Sequence, residues 1–184
     1  MSSAVDQRRF RDVLGRFASG VTIVTASTTD GPVGFTCQSF TALSLEPPMV
    51  ALVPSKQSTS WPRIAAAGAF CVNILHEGQV ELSRTFAVPG AVRPDKFSGT
   101  SWHRGPSGAP VLDGVLAWVE CELEMVHDAG DHEIVLGRVV DLGVGSGEPL
   151  LFYRGTFGRL ARGGPSVRSM RSGRATHEVR ACDP

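Results

Sequence analysis

The 184-residue sequence predicts a mainly β, antiparallel architecture with a few peripheral helices, and three observations carry that prediction. Six or seven segments read as strands against three short helical segments. Residues 116–126 alternate, with Ala117, Val119, Cys121, Leu123 and Met125 on one side and Glu120, Glu122 and Glu124 on the other, which describes a strand with one wet face. Turn chemistry such as Thr29-Asp30-Gly31-Pro32 separates the apolar runs, as hairpins require. This plan fits a closed antiparallel barrel.

In chain order, Phe10, Val13, Leu14, Phe17 and Ala18 recur at helical spacing, so residues 6–18 predict an amphipathic helix with Asp6 as N-cap and Gly20 just past its end. Residues 21–27 form a β-branched strand that turns through Asp30-Gly31 into a second strand over 34–41. Pro47-Pro48 forbids helix at the next junction, and 49–53 is an uninterrupted apolar strand. The polar stretch 54–60 leads into an Ala-rich helix over 61–67, stopped by Gly68. A strand over 70–75 and a helix over 76–87 follow, then a Gly/Pro-rich irregular connection over 88–114. Strands over 116–126, 133–142 and 149–153 close the pattern, with a flexible turn over 143–148. Periodicity ends at Leu160. Residues 1–160 therefore predict one domain, and 161–184, with five Arg against Glu178 and Asp183, a basic, disordered tail.

Composition removes several function classes. Formal net charge is zero, so nothing suggests a nucleic-acid partner. No apolar run spans a membrane and the N-terminus lacks a signal-peptide core, so the expectation is a cytoplasmic protein without a membrane partner. Cys37, Cys71, Cys121 and Cys182 form no close pairs, which argues against a disulfide framework or thiolate zinc site. The His127/His132 spacing across a Gly-containing turn matches no strong zinc motif, so no metal is expected. Gly143-Val144-Gly145-Ser146-Gly147 precedes a strand rather than a helix, which excludes a dinucleotide fingerprint.

Four segments carry candidate chemistry. Gly34-Phe35-Thr36-Cys37-Gln38-Ser39-Phe40 sets hydroxyl and amide side chains before the Pro-Pro stop, suiting the polar edge of an aromatic ligand; it also reads as an exposed edge strand. Ser55, Lys56, Ser58 and Ser60 precede a helix start, where free N–H groups and hydroxyls suit a phosphate, or where Ser58 or Ser60 caps the helix. Arg84 beside Phe86 suits a phosphate contact or a solvated helix face. Gly130-Asp131-His132 makes a polar turn between strands.

Taken in order, Gly34-Phe35-Thr36-x-x-Ser39-Phe40, Pro47-Pro48, Ser58-x-Ser60, Asp95-Lys96-Phe97, Gly130-Asp131-His132 and Pro149-Leu150-Leu151-Phe152-Tyr153 resemble the short-chain flavin reductases, the reductase components of two-component flavin-dependent monooxygenases. The resemblance covers about residues 8–160. It implies an FMN-binding split β-barrel working as a homodimer, in which NAD(P)H reduces FMN or FAD for a partner monooxygenase; the sequence shows no obvious Arg cluster for a 2′-phosphate, which favours NADH over NADPH. It further implies that Gly34, Phe35, Thr36, Cys37, Gln38 and Ser39 line the flavin ring and ribityl chain. Ser55, Lys56, Ser58, Ser60, Arg84 and Phe86 fall at the phosphate, His132 meets the nicotinamide, and Tyr153 and Arg154 lie near it. The alternative is a flavin-binding carrier or sensor on the same barrel that turns over no nicotinamide. A pyridoxamine-phosphate-oxidase-type enzyme would require several Arg and Lys around one phosphate, which the sequence does not offer.

Overall fold

The computed structural model describes residues 5–90 and 95–160, so the predicted tail and Cys182 lie outside the described residues. Helix α1 (Gln7–Leu14) opens the chain, followed by β1 (Ser19–Gly20), β2 (Thr22–Thr28), β3 (Gly31–Cys37), β4 (Thr41–Leu45) and β5 (Pro48–Leu52). Helix α2 (Trp61–Ala67), β6 (Ala69–Ile74) and α3 (Val80–Ala87) come next. Then follow β7 (Trp102–Arg104), β8 (Pro110–Leu112), β9 (Ala117–Ala129), β10 (His132–Val144), β11 (Leu151–Tyr153) and β12 (Thr156–Gly158). The protein is mainly β and antiparallel.

Seven strands share one sheet in the order β3-β2-β6-β9-β10-β5-β4. The two edge strands, β3 and β4, are nevertheless joined by only Gln38, Ser39 and Phe40. Seven strands laid flat put their edges nearly 30 Å apart at about 4.8 Å per step. A link of this length reaches about 14 Å at most. The sheet must therefore curl until its edges approach. Ser39 secures the approach: its hydroxyl donates to the Val53 carbonyl at 3.0 Å and accepts from the Val53 N–H at 2.9 Å.

β2, read in the sequence as a β-branched strand, is buried on both faces from Thr22 to Ala26. Val24 and Ala26 enter a core inside the curl with Val50, Leu52, Phe70, Val72 and Val135, and α2 contributes Trp61 and Ile64 to it. Val21 and Ile23 face a second core with Leu75, Phe86, Leu112 and Leu150. The strand's buried hydroxyls are bonded, Thr22 to the Cys37 carbonyl at 2.8 Å and Thr25 to the Pro110 carbonyl at 2.5 Å. Helix α2 ends as its sequence predicts, because Gly68 takes a left-handed φ of 72° that a side chain resists.

Several expectations are corrected. Helix α1 stops at Leu14 and caps on Gly15, and none of its residues is buried. Helix α3 begins at Val80, since His76 instead pairs with Pro149 in an isolated bridge. β10 extends to Val144, consuming the start of the predicted 143–148 turn. The connection over 88–114 contains the β7–β8 hairpin, whose three-residue strands are too short to show a period. Buried Asn73 ties this hairpin to the sheet, donating to the Pro110 carbonyl at 3.3 Å and accepting from the Leu112 N–H at 2.8 Å.

That arm also overturns the wet face assigned to Glu120. The segment from Gly105 to Val111 lies across this end of β9 and leaves Glu120 fully buried. One carboxylate oxygen accepts from the Ser107 N–H at 2.7 Å, and Oε1 has no hydrogen-bond partner among the described residues. Burial, and then the Glu120 carboxyl, push the Cys121 thiol up to about 12. Only Glu122 and Glu124 remain outside, both paired with Arg138.

Candidate functional site

The hairpin β9–β10 turns at Gly130, whose φ of 72° admits the tight reversal, and presents Asp131 and His132 at its tip. The loop after β5 docks on this tip. Ser55 bridges His132, the Glu133 N–H donates to the Pro54 carbonyl at 3.0 Å, and the Lys56 N–H donates to the Asp131 carbonyl at 3.0 Å. Lys56 Nζ then donates to Asp128 Oδ2 at 2.5 Å and to the Gly130 carbonyl at 2.7 Å. The hydrogen bond and charge of Lys56 hold the Asp128 carboxyl below the usual carboxylate range, and a hydrogen bond from His132 does the same for Asp131.

The Asp128 shift has a pH signature. A lowered folded-state pKa adds stability above the ordinary carboxylate range, and that stability is lost as pH falls through the folded value. The stability advantage of the native chain over Asp128→Asn should therefore be full at neutral pH and vanish on acidification below about pH 4. Urea unfolding of both proteins across that range measures it.

Three clefts collect candidate residues. The largest, about 640 Å³, is walled by Ser39, Val53, Asp131 and His132 from the sheet and by Gln7, Phe10 and Arg11 from α1. A second, of about 270 Å³, lies along the other side of α1 and collects Gln38, Phe152 and Arg154. A third, of about 170 Å³, is lined by Gly34, Thr59, Ser60, Arg63, Lys96 and Phe97.

The clefts gather some of the expected residues and scatter others. Ser39 and His132, far apart in sequence, share the largest cleft. Cys37 lies just behind Ser39, its Sγ 3.2 Å from the Ser39 hydroxyl, and burial pushes its thiol up. Thr36 donates to the Ser83 carbonyl at 2.6 Å, and Phe35 packs against the core inside the curl. Among the predicted phosphate residues, Ser58 accepts from the Trp61 N–H at 3.1 Å as a cap, whereas Ser60 makes no capping bond and lines the smallest cleft. Lys56 is committed to Asp128. Arg84 pairs with Glu81 at 2.5 Å and sits over the Phe157 ring, 5.6 Å from its centroid. Phe86 is wholly buried in the second core. Tyr153 is half-exposed and lines none of these clefts, while Arg154 pairs with Asp12 at 3.9 Å.

Lys96, the middle residue of Asp95-Lys96-Phe97, lies inside the protein. Its side chain is only 6% exposed, and Nζ donates to the Gly34 carbonyl at 3.2 Å and the Phe86 carbonyl at 3.0 Å. No carboxylate pairs with it among the described residues. Burial lowers its pKa. A buried ammonium held only by carbonyls, beside Ser60, Thr59 and Arg63, is a cation suited to an incoming anion. Gly34 belongs to the same construction, since a Cβ there would stand 2.9 Å from Phe86 Cε1. No group of three or more metal-ligating side chains occurs among the described residues.

Comparison with known proteins places the chain in one family. The flavin reductase like domain model matches residues 14–161. The reductase subunit HsaB of a flavin-dependent monooxygenase from Rhodococcus jostii is 51% identical over 157 residues, covering 85% of this chain and 79% of the relative. The crystal structure of a nitrilotriacetate monooxygenase component B homologue from Mycobacterium thermoresistibile superposes with a TM-score of 0.83 at 43% identity, covering 97% of each chain. The NADH:FAD oxidoreductase SgcE6 of Streptomyces globisporus, in complex with NAD and FAD fragments, superposes with a TM-score of 0.78 at 34% identity, covering 90% of this chain and 99% of that one. The chain belongs to the flavin reductase like domain family.

Proposed function

We propose that this protein is an NAD(P)H:flavin oxidoreductase that reduces FMN or FAD and releases the reduced flavin to a partner monooxygenase. The observation that carries the reading is the shared cleft of Ser39 and His132, where the predicted flavin wall meets the predicted nicotinamide residue. Flavin held in this cleft would supply the acceptor for the hydride of the reduced nicotinamide. The chain's part is to bind and orient: Ser39, backed by Cys37, borders the flavin, and His132, anchored through Nδ1 to Asp131 at 2.7 Å, orients the nicotinamide. Positioning of this kind is worth up to about 7–11 kcal/mol.

The phosphate end goes to Ser60, Lys96, Arg63 and Thr59, and the uncompensated Lys96 ammonium supports that fit. Lys56 and Arg84 act instead through their acidic neighbours, Lys56 by holding the loop against the β9–β10 tip. The curled sheet is read as the split β-barrel of this family. Residues 1–160 form its domain and 161–184 an appendage, a boundary supported by a family match that ends at residue 161. Exposed Leu43, Leu45, Leu142 and Val144 on β4 and β10 offer the apolar surface a homodimer would cover. No helix among the described residues is long and apolar enough to cross a membrane. A cytoplasmic setting, where reduced nicotinamide is available, completes the reading.

Anaerobic mixing of the protein with NADH and excess FMN tests it, with flavin absorbance as the readout. Multiple turnovers are expected; no bleaching with NADH or NADPH would leave a carrier. In the same assay His132→Ala should raise KM for the nucleotide more than it lowers kcat, and an unchanged KM would remove His132 from the nicotinamide site.

A further inference from the structure

Helix α1 does something unusual for an amphipathic helix: it buries none of its residues, yet it separates two clefts. Its ends are fixed. Asp6 caps the first turn through the Arg8 and Arg9 N–H groups, and the Arg154 N–H donates to the Gly15 carbonyl at 3.0 Å just beyond the last. Between these anchors Phe10 and Arg11 line both clefts. Phe10 is 54% exposed and so offers an open aromatic face.

The charges on this segment divide sharply. Arg16 and Arg154 both pair with Asp12, at 3.7 and 3.9 Å. The Arg11 guanidinium makes no hydrogen bond or ion pair among the described residues. Among the described residues it is also the one Arg or Lys lining the cleft that holds His132, where the only carboxylate, Asp131, is engaged by that histidine. At about 640 Å³ the cleft has the volume of a whole drug-sized ligand, well beyond one nicotinamide ring.

We propose that Arg11 binds the diphosphate of the nicotinamide dinucleotide, carried there by α1, which is anchored at both ends. The nicotinamide lies at His132 and the diphosphate at the α1 rim, where the guanidinium fork matches phosphate oxygens and the Phe10 ring gives a base a surface to stack on. Arg11 is a binding residue, so its loss affects nucleotide capture and not the transfer step. The proposal rests on the reductase reading and on His132 as the nicotinamide end.

Steady-state kinetics of the full chain test it. Loss of a charge-assisted contact of this kind should raise KM for NADH about tenfold in Arg11→Gln, with kcat and KM for FMN retained. ADP-ribose, which carries the diphosphate without the nicotinamide, should inhibit the native protein competitively against NADH and lose potency by the same factor in Arg11→Gln. Arg11→Lys should recover part of both effects, which a folding defect would not. An unchanged KM for NADH in an active protein overturns the proposal and leaves the reductase reading intact. A rise in KM for FAD alone, with FMN and NADH unaffected, also overturns it and moves Arg11 to the flavin diphosphate. If the native protein oxidises no nicotinamide nucleotide, the reductase reading fails and the proposal falls with it.

Discussion

Lys96→Met is expected to weaken flavin binding by about ten- to a hundredfold, the range that corresponds to losing one or two charge-assisted contacts to a phosphate. Methionine keeps most of the volume of the buried stem but removes the only ammonium in the cleft beside Ser60 and Thr59. The same change strips the Gly34 and Phe86 carbonyls of their donor, so a stability loss of about 1–3 kcal/mol should accompany it. Flavin fluorescence titration and denaturant unfolding separate the two effects. FMN affinity that matches the native protein would send the phosphate elsewhere.

Phe86→Ala should be the most destabilising single change discussed, at about 3–5 kcal/mol. The ring is wholly buried, meets Phe97 edge-on at 5.0 Å between centroids, and fills the space that the missing side chain of Gly34 leaves open. Truncation opens a cavity that α3 cannot collapse into, because the Phe86 carbonyl is tied to Lys96 and Thr36 holds the Ser83 carbonyl. Urea unfolding measures the loss, and a loss under about 1 kcal/mol would show that the second core repacks.

Much of this fold is legible in the sequence because local signals agree with the tertiary outcome. Helix α2 is the plainest case, with Pro62 near its start, Ala-rich middle and Gly68 at its end. The hairpin β9–β10 is readable because its turn needs Gly130 and its strands are long enough to alternate. Glu120 was misread because alternation reports which residues share a face and not what later covers that face. The β7–β8 arm that covers it consists of three-residue strands inside a Gly/Pro-rich stretch.

The site follows the same division. Ser39 and His132 stood out by motif, and the sheet brings them to one cleft. Lys56 and Arg84 had the right chemistry, but their commitment to Asp128 and Glu81 depends on register and rotamer, which spacing cannot show. Lys96 is the converse: lysine is a residue type expected at the surface, and only the convergence of β3 and the end of α3 reveals it as interior.

The Ser39 hydroxyl joins two stretches of chain where neighbouring strands would use paired amides. A ladder separates only when several residues move together. A hydroxyl lets go by turning about one side-chain bond. The Ser39–Val53 contact lies at the wall of the largest of the three clefts, so that wall is held by a bond that one side-chain rotation releases.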